Sequence, residues 1–472
     1  MAPGPKLRAM QLKPGTAQSP SPLPRAAEGG KDAKAGTAPA LKPSRARFIP
    51  VSRYGLRARL ADFLGEDGEA GGDAKAWQRA LDCLAAWRHQ DYRKRLLDLL
   101  EDYLPFSPDS DTANLVALDE KAQAKARDEF IASVERLLVQ ANFVRLDPDD
   151  LQRILIERSP HGLSLKVDLG DFDDLLLYYR GTAVETREQR DPWRVFLAKT
   201  RFEIPVFERL FLVLKLKPLA ARAAEIAAQS GLDPARALKI AEKRREHLPA
   251  GVSSEHIYVK MFKRIPQVDL EMLFPNTKIQ FKPFDKVKLA VTAGGGTVAG
   301  VAGTATKLLA ATNPFTLAFG IFGLSAVIFR QAMKFFHTRN AYMMVLAQSL
   351  YFCSLANNRG ALTLIADGAE EEDVKEDMLL YAFLARAPAR KNGLADVKTE
   401  VIRFLQERCG AKVDFDAEET LRRLVADGLV RRDAKGNLSA IAPEEARAHL
   451  DRLWDRLLDT DSLDRASAAK DS

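Results

Sequence analysis

The stretch from Lys286 to Ala366 contains no aspartate or glutamate, although 64 acidic residues are spread through the rest of the chain. Two segments inside it are almost free of charge. They are LAVTAGGGTVAGVAGTATKLLAA, interrupted by Lys307, and NPFTLAFGIFGLSAVIF, which ends before Arg330. A helix rises ~1.5 Å per residue, so about 20 apolar residues cross a bilayer core of roughly 30 Å. The pattern therefore predicts a two-helix transmembrane hairpin over residues 286–336.

Basic residues flank both open ends of this hairpin, whereas the ATNP turn between its segments is uncharged. Positive flanks mark the cytoplasmic side of a membrane. We therefore expect soluble domains in the cytoplasm, at a bacterial inner membrane, or at a mitochondrial membrane if the source is eukaryotic. Four small residues are expected to let the helices pack closely in lipid. They are Gly296, Gly300, Gly320 and Gly323.

A soluble interpretation of the same stretch stays open. KLAVTAGGGTVAGVAGTATKLL also reads as a strand, a glycine-rich turn and a helix, as in a nucleotide site. However, Gly294, Gly296 and Gly300 follow GxGxxxG spacing, and no acidic residue stands about 20 positions later. Lys307 does not follow a glycine directly, which argues against a phosphate-binding loop. A buried pair of soluble helices is the remaining alternative.

The length of 472 residues suggests about two to four domains. Much of the net charge of +7 lies in the first sixty residues, whose only acidic members are Glu28 and Asp32. We divide the chain into a basic tail with a disordered composition (1–44), an α+β cytosolic domain (45–285), the hairpin (286–336), a helical segment (337–386), a winged-helix-like module (387–457) and a flexible tail (458–472). A mitochondrial transit peptide is the alternative interpretation of the first segment.

Helical and strand periods alternate along the soluble part. WQRALDCLAAWRHQDYRKRLLDLLEDYL spaces apolar residues three and four apart and predicts an amphipathic helix. The side chains expected to point inward are Trp77, Leu81, Leu84, Trp87, Leu96 and Leu100. Between Phe143 and Lys217 the alternation predicts a small antiparallel sheet. The expected fold class is thus α+β and mainly helical, with this sheet, the transmembrane hairpin and the C-terminal module.

The C-terminal module is predicted from its order of elements: DVKTEVIRFLQERCG, FDAEETLRRLVADG, then LVRRD and NLSAI around an AKGN turn. This order resembles a winged helix, with Asp416 as a helix cap and Glu419 completing a capping box. The cations Arg422, Arg423, Arg431, Arg432 and Lys435 suit phosphate contacts. Acidic residues in the same helix oppose such contacts, so a protein-contact or structural role is preferred and nucleic-acid binding is the alternative.

The block from Lys260 to Pro275 provides the candidate contact residues. It places cations beside apolar residues and then two carboxylates, a mixture suited to lipid headgroups or to a protein partner. The candidates are Lys260, Phe262, Lys263, Arg264, Asp269 and Glu271. The alternatives are a buried apolar set with solvated charges, and an acid/base pair formed by Asp269 and Glu271.

No metal, cofactor or catalytic residue is predicted. The three cysteines and six histidines lack the spacing of a disulfide framework or a zinc site. Acidic runs at Asp171–Asp174 and Glu370–Asp373 contain ligand types that Mg²⁺ and Ca²⁺ prefer. We interpret the second run as the solvated N-terminus of a helix, where negative charge is favourable.

YVKMFKRIPQVDLEMLFPNTKIQF, followed by two apolar segments, resembles the transmembrane protein 143-like family, an uncharacterised domain family. RFIPVSRYGLRARL, DFDDLLLYYRG and LYFCSLANNRGALTLIADGAEEEDVKEDMLLYAFL extend the resemblance over Arg47–Leu384. The resemblance implies a membrane protein with two spans and no established activity. We therefore expect a membrane-anchored, non-enzymatic scaffold whose partners are the bilayer and an unknown protein. The alternative is a nucleic-acid-binding regulator that acts through the C-terminal module.

Overall fold

The computed structural model describes residues 48–66, 74–109, 119–156, 164–190, 199–246, 248–249, 251–276, 278–280, 329–330, 333, 344, 350–387 and 393–456. The α-helices are α1 (Arg53–Glu66), α2 (Ala74–Tyr103), α3 (Glu120–Gln140), α4 (Pro148–Ile156), α5 (Leu219–Ser230), α6 (Pro234–Arg245), α7 (Asn358–Arg386), α8 (Leu394–Cys409), α9 (Ala417–Ala426) and α10 (Pro443–Asp455). The strands are β1 (Val144–Arg145), β2 (Ser164–Lys166), β3 (Phe172–Arg190), β4 (Lys199–Leu216), β5 (Ile257–Pro266), β6 (Lys278–Gln280), β7 (Ser354–Asn357), β8 (Val430–Arg432) and β9 (Leu438–Ala440). Short 3₁₀ helices span Leu104–Phe106, Leu169–Asp171 and Gln267–Leu273.

A five-stranded antiparallel sheet has the strand order β1-β3-β4-β5-β7. The small antiparallel sheet predicted from residues 143–217 is therefore confirmed, with β5 and β7 added from later in the chain. On β4, the residues that pair with β5 run from Val206 to Lys215. The pairing of β3 with β4 continues farther, to Arg190 of β3 and Lys199 of β4. The end of the β3–β4 hairpin thus extends beyond the strands that flank it in the sheet.

The amphipathic face predicted for α2 is the one that packs inward. Trp77, Leu81, Leu84 and Leu96 are buried, whereas Trp87 and Leu100 are half-buried at the edge of that face. Spacings of three and four residues place these side chains on one stripe of the helix.

Two hydrophobic clusters share the long helices α2 and α7. The first joins α1 and the N-terminal part of α2 to the C-terminal part of α7, to α8–α10 and to the β8–β9 hairpin. The second joins the rest of α2 and α7 to α3 and the sheet. Most residues of α7 are buried, including the polar residues of its middle. α7 is consequently the central helix of the described residues.

The C-terminal module has the element order that its sequence predicted: two helices, a two-stranded hairpin and a further helix. Asp416 caps α9, as predicted, by accepting a hydrogen bond from the backbone N–H of Glu418 at 3.2 Å. Its apolar side chains lie in the same cluster as those of α1 and α2. The module therefore packs directly on the N-terminal helices.

The transmembrane hairpin in the expected fold class requires correction. Among the described residues, no helix combines the length and apolarity needed to span a bilayer. Of residues 286–336, only Phe329, Arg330 and Met333 lie within the described ranges, and the four packing glycines lie outside them. The absence of charge alone is weak evidence for a membrane span, because Gly, Ala and Thr contribute little apolar surface area to a helix. The fold class is mainly helical with a small antiparallel sheet.

Candidate functional site: a buried ion network on the central helix

The acidic run Glu370–Asp373 lies in the middle of α7 and not at its start. In the sequence EEEDVKED, Glu372, Asp373, Lys375 and Asp377 are at most 2% exposed. Our interpretation of the run as a solvated helix N-terminus is therefore wrong. Charged residues are rarely buried to this extent unless they are paired, so their partners define the most unusual site in the described structure.

Arg423 of α9 binds three carboxylates of α7. Its guanidinium nitrogens lie 3.2 Å from Asp373, 3.2 Å from Glu376 and 3.1 Å from Asp377. Thr420, one turn earlier in α9, donates its hydroxyl to Glu376 at 3.2 Å. These contacts fix α9 against the central helix.

Arg88 of α2 completes the network. Its Nε donates to Asp377 at 2.9 Å, and a terminal nitrogen donates to Asp427, the residue after α9, at 2.6 Å. Tyr92, one turn further along α2, donates its hydroxyl to Asp373 at 2.6 Å. The network thus connects α2, α7 and the end of α9 through side chains that are far apart in the sequence.

Four carboxylates lie within 3.2 Å of the two guanidinium groups of this network, and Asp91 and Glu419 lie farther from them, at 3.7 and 3.9 Å. The four carboxylates belong to Asp373, Glu376, Asp377 and Asp427, and the guanidinium groups to Arg88 and Arg423. Burial raises the pKa of Glu376 to about 8, against the opposing attraction of Arg423. Burial also raises the pKa of Asp373 to about 6, with the same opposition from Arg423. At neutral pH, Glu376 therefore retains its proton, which reduces the excess of negative charge.

A second set of α7 side chains holds the segment that precedes α1. Glu372 accepts a hydrogen bond from the backbone N–H of Ile49 at 2.9 Å, and Lys375 donates to the Ile49 carbonyl at 2.8 Å. Glu372 and Lys375 are themselves 2.5 Å apart. The ring of Phe48 lies 4.2 Å from the guanidinium carbon of Arg180 and 4.9 Å from the Lys375 ammonium. This buried ion pair on α7 thus also hydrogen-bonds to the backbone N–H and carbonyl of Ile49.

The candidate contact residues of β5 separate into buried and exposed members. Phe262 is buried, Lys260 is half-buried, and Lys263 and Arg264 are exposed. Arg264 has a positive φ of 50° and binds Glu185 of β3 at 2.8 Å. The burial of Phe262 agrees with the alternative that the apolar side chains of this block belong to the core.

The carboxylates of Asp269 and Glu271 lie in the 3₁₀ helix that follows β5. Glu271 is 6% exposed, and burial raises its pKa to about 7, with a further contribution from Asp269. The contact role predicted for Asp269, Glu271 and the four β5 residues is not decided by this geometry and stays a prediction.

The cations predicted to contact phosphates have different environments. Arg423 is held in the network, and Arg431 pairs with Glu445 of α10 at 2.8 Å. Arg422, Arg432 and Lys435 are exposed. The structure therefore brings together only part of the predicted cationic surface.

The two network carboxylates with raised pKa, Asp373 and Glu376, are enclosed by protein. Two open clefts of about 270 and 320 Å³ lie on the surface of the described part of the chain, and no carboxylate of the network lines either one. Within the described ranges, no group of three or more His, Cys, Asp or Glu side chains is arranged to hold a metal ion. The network holds α2, α7 and the end of α9 together, and neither of these two clefts reaches its carboxylates.

Sequence reasoning missed this network because its members are distant in the chain: Arg88 and Asp377 are separated by 289 positions. A local signal was present. The acidic run lies between the apolar stretches ALTLIA and MLLYAFL. A continuous helix that is apolar on both sides of a charged run is buried in its middle as well, unless it breaks there.

Residues 172–360 match the model of a family described as "Protein of unknown function (DUF3754)". The matched range runs from β3 to the first turn of α7 and ends before the buried network. No solved structure matches the chain. The comparison supports a domain of unknown function over these residues, and the finer resemblance to the transmembrane protein 143-like family stays a prediction.

Proposed function

We propose that the chain is a non-enzymatic interaction protein whose C-terminal module presents a contact surface to another protein. The observation that carries this proposal is the closure of the buried ion network. Catalytic groups with shifted pKa values are normally placed in a cleft that admits substrate. Here Asp373 and Glu376 are covered by α9, where Asp373 pairs with Arg423 and Glu376 keeps its proton, so their shifted pKa values serve packing.

The outer surface of the module has a mixed character. α9 exposes Glu418, Arg422 and Val425, the last of which is 41% exposed. The tip of the β8–β9 hairpin adds Arg432 and Lys435. A nucleic-acid surface is expected to be more uniformly positive, whereas protein contacts combine apolar centres with charges of both signs. This composition favours a protein partner.

Site-specific photocrosslinking in cells of the source organism tests the proposal. A photoreactive residue is placed at Val425 or Arg432 of the full chain, with Lys94, an exposed residue of α2, as the control position. We expect both module positions to give the same discrete protein adduct and the control position to lack it. No adduct, or equal adducts at all three positions, would contradict a contact surface on the module.

Nucleic-acid binding is the second candidate, favoured by the exposed cations Arg422, Arg432 and Lys435. The full chain is the appropriate reagent, because the module shares its core with α1 and α2. Fluorescence anisotropy with a labelled duplex, at two salt concentrations, compares the parent with an Arg432→Gln, Lys435→Gln variant. Salt-sensitive binding that weakens in the variant would support nucleic acid, and nuclease-sensitive adducts in the crosslinking experiment would agree.

A further inference from the structure

A cleft of about 270 Å³ opens between the first turns of α1 and the middle of α2. Ala85 and Ala86 of α2, together with Met378 of α7, provide its apolar lining. Its remaining lining residues are polar or aromatic. They are Arg53, Tyr54, Arg57, Asp82 and His89. The cleft therefore combines an apolar surface with two cationic groups of α1.

Two arginines of α1 are arranged around an exposed tyrosine. The guanidinium carbons of Arg53 and Arg57 lie 5.2 and 5.7 Å from the ring centre of Tyr54, which is 62% exposed. Residues four positions apart share one face of a helix, and the ring attracts both cations through its π face. The two guanidinium groups are thus held on the same side of α1, beside a flat aromatic surface.

The donors of this cleft are only partly satisfied. Arg57 contacts Asp82 through one terminal nitrogen, while its Nε–H has no hydrogen-bond partner among the described residues. Arg53 and His89 both bind Glu370, at 3.2 and 2.9 Å. Asp82 is half exposed to solvent, and exposed ion pairs of this kind are weakly held. An incoming anion can therefore replace Asp82 on the terminal nitrogens of Arg57, whereas the Nε–H is buried and stays out of its reach.

We propose that this cleft binds a small phosphomonoester that carries a flat apolar group. Its phosphoryl oxygens accept hydrogen bonds from the terminal N–H groups of Arg57, because a guanidinium offers two parallel donors to such a group. The flat group packs between Tyr54 and the apolar lining at Met378. Asp82 acts as an internal competitor for Arg57.

Isothermal titration calorimetry of the purified full chain with phenyl phosphate, at constant ionic strength, tests this site. We expect saturable binding to one site per chain, and weaker binding of inorganic phosphate, which lacks the ring. Arg57→Gln should weaken phenyl phosphate binding about tenfold, because a charge-assisted hydrogen bond is lost. Asp82→Asn should strengthen it, because the competing carboxylate is removed.

Lys94→Gln is the matched control, since Lys94 is an exposed cation of α2 that does not line the cleft. Its affinity should equal that of the parent chain. Asp82→Asn is expected to strengthen binding, whereas Arg57→Gln weakens it. A gain in affinity cannot result from loss of folding, so the test does not depend on how well the Arg57 variant folds. Equal affinities for the parent, Arg57→Gln and Asp82→Asn chains, or no saturable binding in any of them, would overturn the proposal. The crosslinking test of the module is unaffected by either result.

Discussion

Replacing Glu376 with glutamine is expected to remove much of the pH dependence of folding stability between pH 4.5 and about 8, the unfolded and folded pKa values of this carboxyl. Glutamine has nearly the shape of protonated glutamate, and its carbonyl oxygen can still accept hydrogen bonds from Arg423 and Thr420. The substitution therefore changes the ionisation of the site while leaving its packing in place.

The magnitude follows from the raised pKa of Glu376. At ~1.4 kcal/mol per pH unit, raising the pKa from 4.5 to about 8 makes ionisation cost the folded state roughly 5 kcal/mol more than the unfolded state. The favourable contribution of the protonated carboxyl is complete below pH 4.5 and is lost as the pH rises through about 8. Above that range the variant should be more stable than the parent by up to ~5 kcal/mol, and at low pH the two should be alike.

Chemical denaturation followed by far-UV circular dichroism at about pH 5, 7 and 9 measures this difference. Glu418→Gln, at an exposed position of α9, is the matched control and should follow the parent at every pH. The raised pKa of Asp373 leaves a smaller slope at lower pH in all three chains. Parallel loss of stability in the parent and the Glu376 variant between pH 5 and 9 would refute the reasoning.

Three further substitutions test individual contacts by the same denaturation assay. Arg423→Met should lower the free energy of unfolding by about 3 to 5 kcal/mol, because it leaves buried carboxylates without their cation. Arg422→Met, at an exposed neighbouring position, should lower it by less than ~0.5 kcal/mol. Gly428→Ala should cost more than Gly410→Ala. Both glycines have positive φ, at 73° and 67°, but only the first would place a Cβ 2.9 Å from an imidazole nitrogen. Lys375→Met should also lower the free energy of unfolding by about 3 to 5 kcal/mol. In limited proteolysis, the segment before α1 should then be cleaved faster than in the parent chain.

Elements with a clear period were predictable from the sequence. The buried face of α2 follows from apolar residues three and four apart, and the strands within 143–217 follow from alternation. The role of Asp416 as a helix cap was also readable, because a cap depends on neighbours a few positions away. These features share a local physical cause, so the local sequence was sufficient.

Features that depend on distant partners were not predictable in the same way. Arg423 was a candidate phosphate contact because it is a cation in the second helix of the winged-helix-like module, but α7 supplies three carboxylates to it. β5 pairs with β4 over nearly its whole length, although its sequence mixes cations with aromatics. In each case the surroundings of the charged residues are set by which elements meet, and that information is absent from a local window.

The central position of α7 has a consequence for synthesis on the ribosome. Arg88 and Asp377 are separated by 289 positions, so α1 and α2 are complete long before the helix that covers them has been made. At about 5 to 20 residues per second, this interval lasts roughly 15 to 60 s. During that time the apolar faces of α1 and α2 lack their final partner, which makes the nascent chain a candidate client for chaperones until α7 emerges.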